Sequence, residues 1–158
     1  MSVSFGINGH VVTVDAEDLY AALSGPLRIV DKTRHKRRKL YVEHCWIDNG
    51  KFRHRALHRF ILGMTDSAIL VDHIDGNGLN NVRSNLRLAT RRQNAHNTVC
   101  RADSKSGIKG VRERNGKFQA NITKNGKMVY LGSWKDIELA RAAYLRASAE
   151  LHGEFQNK

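Results

Sequence analysis

The first residues that could carry out chemistry are Asp72 and His73, which directly follow the apolar run Ile69-Leu70-Val71. Such a run predicts a short buried strand, and a strand end is a rigid place from which side chains can enter a cleft. A neutral imidazole can take a proton from water near pH 7, and a carboxylate is a hard oxygen ligand for Mg²⁺. The pair therefore predicts a base and a metal ligand side by side.

Two asparagines further along the chain could complete such a site. The stretch Asp72–Asn85 is dense in Asp, Gly and Asn, which predicts tight turns and a long ordered loop. Thr90 and Gln93 have the spacing of a capping box, so we expect a helix that carries Asn94, whose amide oxygen is a suitable second metal ligand. Each residue alone is more often turn or surface chemistry, and only the combination favours a site.

Four spaced segments resemble a known family: Leu57-His58-Arg59, Val71-Asp72-His73-Ile74-Asp75-Gly76, Asn85-Leu86-Arg87-Leu88 and Arg92-Gln93-Asn94. Together they resemble the HNH homing endonucleases of phages and introns, over roughly residues 55 to 100. The spacing looks like the HNN variant of the ββα-metal fold, in which Asn replaces the final His. The resemblance implies a metal-dependent DNA endonuclease with a site-recognising nicking or homing activity.

The resemblance also implies a role for each residue of the site. His73 is the general base for water, and Asn85 braces the loop and orients the His73 ring. Asp72 and Asn94 hold one divalent ion, for which we expect Mg²⁺, with Mn²⁺ as the alternative.

Three residues near this site are open to more than one interpretation. His58 fits a structural histidine under the loop better than a metal ligand. Arg59 could reach a phosphate or equally pair with an acidic side chain. His96 lies two residues beyond Asn94 on the expected helix, so it points to another face and is assigned to DNA contact or to structure.

Residues 1–55 predict a strand-rich brace for the nuclease centre. Within it, residues 11–23 predict a short strand and then a helix that Asp15 caps and Gly25-Pro26 stops.

Two β-type runs follow, Lys39–Ile47 and Lys51–Leu62, and Asp48-Asn49-Gly50 between them predicts a hairpin. The basic run Arg34–Lys39 is equally compatible with a phosphate-binding edge and with a solvated turn.

After the nuclease centre the sequence predicts a separate, smaller unit. Residues 101–106 are polar and small, which is typical of a linker. Asn-Gly turns then separate three short strands, at 109–114, 117–124 and 127–131. Asp136 can cap a helix that ends at Gly153 and packs one apolar face on the sheet. We therefore divide the chain into a nuclease domain (1–100, with a ββα-metal core at 56–100), a linker (101–106) and a DNA-binding domain (107–158).

Residues 107–155 resemble the ethylene-response-factor type of DNA-binding domain, on the motifs Gly110-Val111-Arg112, Gly116-Lys117-Phe118 and Tyr130-Leu131-Gly132. In that family the sheet enters the major groove, and the positions carried over are Lys109, Arg112, Arg114, Asn121 and Tyr130. Arginine can bond bidentately to guanine and asparagine to adenine. The phosphate contacts expected here are Lys117, Lys124 and Lys127. Phe118 and Trp134 are expected to pack in the core.

Composition supports a polyanionic partner. The chain has 27 Lys and Arg against 15 Asp and Glu, a net charge of +12, and the excess is shared equally between residues 1–100 and 101–158. This balance favours double-stranded DNA. The start MSVSFGINGH lacks signal-peptide features and no apolar run reaches a membrane span, so we expect no membrane partner and a cytoplasmic, nucleoid-associated location in a bacterial host.

The two cysteines, Cys45 and Cys100, form no C-x-x-C pair, so we expect no structural zinc and no disulfide. We expect no small-molecule cofactor either. One catalytic centre per chain favours a monomer that nicks DNA.

The expected fold class is α+β: a ββα-metal nuclease region with its brace, and a three-stranded antiparallel sheet packed on one helix. Two other functions stay open. A DNA-binding regulator with a degenerate HNH region would bind but not cut, and an RNA-binding protein is the third class, because basic charge alone does not choose the polymer.

Overall fold

The computed structural model describes residues 1–32, 39–96, 100 and 104–153, with Arg92 and His96 described by their backbone alone. The chain divides into two compact units, Met1–Asn94 and Ala95–Lys158. Residues 34–38 of the predicted basic run and 101–103 of the predicted linker lie outside the described residues. The architecture is mixed α/β with mostly strands and few helices, which confirms the fold class at that level. No helix in the described ranges is long and apolar enough to cross a membrane.

The elements described in the first unit are mainly strands. They are β1 (Ser2–Ile7), β2 (His10–Asp15), β3 (Leu27–Asp31), β4 (Leu40–Asp48), β5 (Lys51–Ala56), β6 (Leu70–His73) and β7 (Leu86–Ala89). The helices are α1 (Leu19–Ala22), α2 (Leu57–Ile61) and α3 (Arg91–His96), of which α3 continues two residues past the end of this unit. Short 3-10 helices cover Ala16–Asp18 and Arg83–Asn85. All strand pairs are antiparallel, in three sheets of order β1-β2, β3-β4-β5 and β6-β7.

Asn-Gly pairs make the tight hairpins of this unit. Asn49 and Gly50 have φ values of +48° and +72° and connect β4 to β5, which confirms the predicted hairpin. Asn8 and Gly9 do the same between β1 and β2, with φ values of +47° and +77°. Positive φ at both central residues matches the right-handed twist of the paired strands. The second hairpin was not predicted.

Two predictions for the first unit are wrong. The run 51–62 is not one strand, because β5 is followed by α2, in which Leu57 and Ile61 lie four residues apart and both face the core. Asp15 caps no helix through its side chain, since its Oδ2 accepts a hydrogen bond from the backbone N–H of Arg83. The predicted helix at this place is a 3-10 turn followed by the four residues of α1.

The core of the first unit joins the N-terminal hairpin, the central sheet and α2. Its buried members are Val12, Val14, Ala22, Val42, Leu57 and Ile61. Full burial of a Val, Leu or Ile side chain contributes about 1.5–3 kcal/mol. This core therefore fixes β2, β4 and α2 relative to one another, and these are the elements that surround the candidate site.

The second unit is a meander packed on one long helix. β8 (Val111–Arg114), β9 (Lys117–Lys124) and β10 (Lys127–Trp134) form a sheet of order β10-β9-β8, followed by α4 (Ile137–His152). The side chain of Asp136 accepts a hydrogen bond from Glu138 N, which confirms the predicted cap, and the helix gives way at Gly153 as predicted. Phe118 and Trp134 pack against the buried cluster between sheet and helix, as expected.

Candidate active site

The residues that the sequence singled out lie on β6, on the 3-10 helix Arg83–Asn85 and on α3, and β7 follows directly after Asn85. β6 and β7 pair with Asp72 opposite Arg87. The capping box at the start of α3 is confirmed: Thr90 donates from N and Oγ1 to Gln93 Oε1, and Gln93 N donates to Thr90 Oγ1. The order strand, strand, helix thus places a carboxylate and an imidazole on the first strand and Asn94 on the helix.

Asp72 is a buried carboxylate with a buried partner. Nε and Nη2 of Arg87 donate to its Oδ2 at 3.1 and 2.9 Å, and the two side chains are only 8% and 10% exposed. A charge pair removed from water in this way is little screened and strongly directional. Arg87 therefore fixes the orientation of the Asp72 carboxylate.

His73 is 4% exposed and surrounded by polar and aromatic groups. Its ring meets the His58 ring edge-on at 4.8 Å between centroids, and the Tyr41 ring lies 6.0 Å away. Burial lowers the pKa of His73, against the opposing effects of its hydrogen bond to Asn81 and of the charges of Asp75 and Asp72. The imidazole is thus neutral near pH 7, which is the form that can accept a proton.

Asn85 ties the two ends of the site loop together. Its Oδ1 accepts from Asp75 N at 3.1 Å, while its Nδ2 donates to Asp75 Oδ1 at 2.9 Å and to Asn80 O at 2.8 Å. The backbone N–H of Ile74 also donates to Asn85 O. These contacts are with the loop. The ring of His73 is instead within reach of a different asparagine.

That asparagine is Asn81, which sequence reasoning missed. It is fully buried, and its Oδ1 lies 3.4 Å from His73 Nε2. With Oδ1 as the acceptor, Nε2 carries the proton and Nδ1 is the basic nitrogen of the ring. In the sequence Asn81 is one of several asparagines in a turn-rich stretch, and turn chemistry gives no sign of burial.

The N-terminal elements hold the same loop from the other side. Thr13 N donates to Leu79 O at 3.0 Å, and Asn81 N donates to Thr13 O at 2.7 Å. The Arg83 guanidinium donates to both carboxylate oxygens of Asp18 at 2.8 and 2.7 Å. The acidic residues around the start of α1 therefore serve as partners of Arg83.

His58 lies beneath His73 and is almost completely buried. Burial, and then the charges of His73, Arg59 and Lys32, lower its pKa to about 3. Its Nδ1 has no hydrogen-bond partner among the residues that the structure describes. His58 is therefore neutral at physiological pH, and its unsatisfied Nδ1 departs from the satisfied histidine that the predicted structural role would give.

Within the described ranges, Arg59 donates to backbone carbonyls rather than to an acidic side chain. Its guanidinium donates to the carbonyls of Ile69, at 2.5 Å, and of Asp66. The side chain of His96 lies outside the described residues, so its predicted face stays a prediction.

The donor set suits a hard divalent ion. Asp72 offers a carboxylate and Asn94 an amide oxygen, and Asn94 is half-buried with its N–H bonded to Thr90 O at 2.9 Å. Oxygen donors of this kind match Mg²⁺ or Mn²⁺, whereas structural zinc favours thiolate and imidazole. By donor type, these two residues match the ion that the sequence predicts.

In the second unit, five predicted DNA contacts share one face of the sheet. Asn121 pairs with Tyr130 and Arg114 with Lys117, and paired residues point to the same side. Ala120 belongs to the buried core with α4, so the alternating neighbours project away from the helix. The face contains Arg112, Arg114, Lys117, Asn121 and Tyr130.

The other three predicted contacts lie elsewhere. Lys124 and Lys127 are exposed and flank the β9–β10 turn. Lys109 precedes β8, is half-buried, and places Nζ 3.5 Å from Ala95 O; burial lowers its pKa. Lys109 is thus off the sheet face on which the arginines stand.

Comparison with known proteins finds a family match within the first unit and its last helix. The HNH endonuclease family model matches residues 51–96. An uncharacterized HNH endonuclease of Acanthamoeba polyphaga mimivirus is 41% identical over 113 residues, which cover 68% of this chain and 57% of that protein. Protein 3.8 of Escherichia phage T7 is 38% identical over 88 residues, 54% of this chain and 71% of that protein. No solved structure gives a significant match.

The aligned part of the chain thus spans a little over half of the mimivirus relative and nearly three quarters of the phage relative. The segment that matches the family model runs from β5 to α3 and includes Asp72, His73, Asn85 and Asn94. On this match, residues 51–96 form an HNH endonuclease domain, and the chain is similar to a viral protein named as an HNH endonuclease.

Proposed function

We propose that this protein is a metal-dependent endonuclease that hydrolyses phosphodiester bonds in duplex DNA, as a site-recognising nicking or homing-type enzyme. The observation that carries the proposal is the buried, neutral His73 next to a carboxylate that Arg87 holds in place, inside the segment that matches the HNH endonuclease family. This is the chemistry that proton abstraction from water requires.

In the proposed mechanism, Nδ1 of His73 takes the proton of the attacking water while Asn81 holds Nε2. Asp72 and Asn94 hold one divalent ion in a ββα-metal arrangement, with Mg²⁺ as the expected ion. When bound, the ion supplies Lewis-acid stabilisation of the charge that develops on the phosphate and the leaving oxygen. Asn85 keeps the loop between β6 and β7 closed around these groups.

The second unit, in this proposal, positions the nuclease on its substrate. Arg112 and Arg114 contact guanine edges in the major groove, Asn121 contacts adenine, and the lysines contact phosphates. Because the two units belong to one chain, binding by the second raises the effective concentration of the catalytic centre at the DNA.

The test is nicking of supercoiled plasmid in Mg²⁺ by the wild type and by His73→Ala. General base catalysis contributes about 10²- to 10⁴-fold, so the variant should lose that factor in rate. DNA affinity measured in EDTA should be unchanged. His10→Ala, at a partly exposed histidine of β2, is the matched control and should cut normally.

If wild type and His73→Ala are equally inert with Mg²⁺ and with Mn²⁺, the non-cleaving regulator replaces the nuclease. A stronger preference for structured RNA than for duplex DNA in competition would replace the DNA assignment.

A further inference from the structure

A cleft of about 520 Å³ opens in the first unit beside His58. This volume lies within the range of about 300–1,000 Å³ that is usual for ligand sites. The side chains on its walls that matter here are Lys32, Lys39, Tyr41, His58 and Arg59. None of the described residues that line it is acidic. The cleft is therefore suited to an anion.

The positive charge of the cleft is only partly compensated. Lys32 Nζ lies 3.6 Å from Glu43 Oε1, but the same carboxylate already accepts two hydrogen bonds from Arg28, at 3.0 and 2.7 Å. One carboxylate cannot neutralise two cations. Arg59 bonds to backbone carbonyls, which carry no net charge, so its own charge persists at the cleft.

The cleft wall is fixed relative to the catalytic loop. Lys32 N donates to Lys39 O at 2.8 Å, so the two lysines face each other across the end of the β3-β4 ladder. Lys32 Nζ stands 5.7 Å from the Tyr41 ring centre, and that ring approaches His73. A Cβ at Gly78 would meet Tyr41 at 2.6 Å, which shows how closely the site loop packs on this wall.

The floor of the cleft is His58, whose ring contacts His73. His58 is more than nine-tenths buried, and its Nδ1 lacks a hydrogen-bond partner in the described part of the chain. The floor of the cleft is thus a buried ring packed against His73.

We propose that this cleft binds the backbone of the DNA strand beside the cut bond, with Lys32, Lys39 and Arg59 as phosphate contacts and Tyr41 as the wall. The position beside the cut rests on the proposed function. The occupation of the cleft by DNA does not, because it is argued from the charge and the volume of the cleft.

The test measures binding without cleavage. The full chain carrying His73→Ala is titrated in EDTA with a fluorescein-labelled duplex of arbitrary sequence, and the affinity is followed over a series of salt concentrations. Each phosphate contact contributes about 0.9 to the slope of log affinity against log salt. Lys39→Gln should make this negative slope shallower by about 0.9. The double variant Lys32→Gln/Lys39→Gln should make it shallower by about 1.8.

The matched control is Lys51→Gln, which removes the same charge from an exposed lysine at the other end of β4 and β5. It should leave the slope unchanged. Equal slopes for Lys39→Gln and the parent, or an equal loss in Lys51→Gln, would overturn the proposal. Thermal melting confirms that the variants fold.

The outcomes separate the two proposals. If the wild type nicks plasmid but the lysine variants have unaltered slopes, the proposal that DNA occupies the cleft is rejected and the nuclease function is retained. If the wild type does not nick but Lys39→Gln shows the expected shallower slope, DNA binding in the cleft is retained and the nuclease function is rejected.

Discussion

The two units display their polar side chains in opposite ways. In the first, Asp72 and His73 are buried, and Arg87 and Asn81 lie within bonding reach of them. In the second, the arginines of the sheet face are exposed, and Tyr130 is 59% exposed. A group that must move a proton or hold an ion needs its orientation from the fold, whereas a group that contacts DNA must keep its bonding capacity for the ligand. Substitutions of these two sets of side chains should therefore cost stability and turnover at the buried site of the first unit and affinity at the sheet face of the second.

The largest expected effect comes from breaking the buried pair of the first unit. Arg87→Met keeps a flexible, unbranched stem at this position but leaves the Asp72 carboxylate buried without its Arg87 ion-pair partner. Removal of one partner of a buried pair costs about 3–5 kcal/mol. Urea unfolding reports the free energy of the first unit through Trp46 fluorescence, in a background where Trp134 of the second unit is replaced by Phe.

The control for that experiment is Arg53→Met. Arg53 lies 3.4 Å from Asp48, but both side chains are about half exposed. Exposed pairs contribute about 0–1 kcal/mol, so this variant should be nearly as stable as its parent. Equal losses in the two variants would contradict the distinction between a buried, oriented site and an ordinary surface.

The next largest expected effect is a pH dependence of the stability of the first unit. His58 takes up a proton below its ordinary pKa of 6.5 in the unfolded chain, but only near a pKa of about 3 in the folded one. The unfolded state therefore binds more protons over that window, and stability is lost as the pH falls. From pH 7 to about pH 4.5 the loss from this residue should be about 2–3 kcal/mol.

Comparison of variants separates the contribution of His58 from that of the carboxylates, which also take up protons in acid. The difference in unfolding free energy between pH 7 and the acid condition should shrink by this amount in His58→Gln. In His10→Gln, at a partly exposed histidine, it should stay as in the wild type. An unchanged acid loss in His58→Gln would show that His58 is not held neutral in the folded unit.

In the second unit the expected effect is on affinity. Arg112→Ala should weaken binding to a duplex selected by the wild type from a random pool, by about 1–3 kcal/mol if the guanidinium makes a bidentate base contact. Arg141→Ala removes the same charge from α4, where Arg141 lies 3.4 Å from Glu138, and should bind almost normally. Unfolding of both variants should match the wild type. A loss of stability without a loss of affinity in Arg112→Ala would show that this face of the sheet does not contact DNA.

The sequence predicts those parts of the fold that depend on neighbouring residues. Asn-Gly turns and the caps at Thr90 and Asp136 are local devices, and they are found where expected. The hairpin at Asn8-Gly9 carries the same signal, but Gly6 interrupts the short β1 and weakens its strand pattern. The five residues of α2 are too few for periodicity to separate a helix from a buried strand.

The site divides in the same way. Asp72, His73 and Asn85 stand out through residue type and spacing, which chemistry alone can interpret. The pairing of Asp72 with Arg87 depends on strand register, and the approach of Tyr41 depends on packing between sheets that are distant in sequence. Asn81 is distinguished only by complete burial. Partners of this kind are set by tertiary structure, which a single sequence does not reveal.

The smallest expected effect compares two helix caps. Thr90→Ala removes a cap from the six-residue α3, and Asp136→Ala removes one from the sixteen-residue α4. Each loss should cost its unit about 1 kcal/mol. A helix as short as α3 is marginal without its cap, so the turn that carries Asn94 should fray in Thr90→Ala.

The two caps should therefore differ in function although they are alike in energy. If Asn94 holds the ion, fraying of α3 raises the Mg²⁺ concentration needed for half-maximal nicking in Thr90→Ala. Asp136→Ala should leave that concentration unchanged, because α4 supports the sheet and not the metal ligands. The same Mg²⁺ requirement in Thr90→Ala and in the wild type, with the expected loss of stability, would mean that Asn94 is not a ligand. An equal shift in the Mg²⁺ concentration for half-maximal nicking in Asp136→Ala would mean that the metal requirement follows general stability. The two units would then not have the separate roles proposed for them.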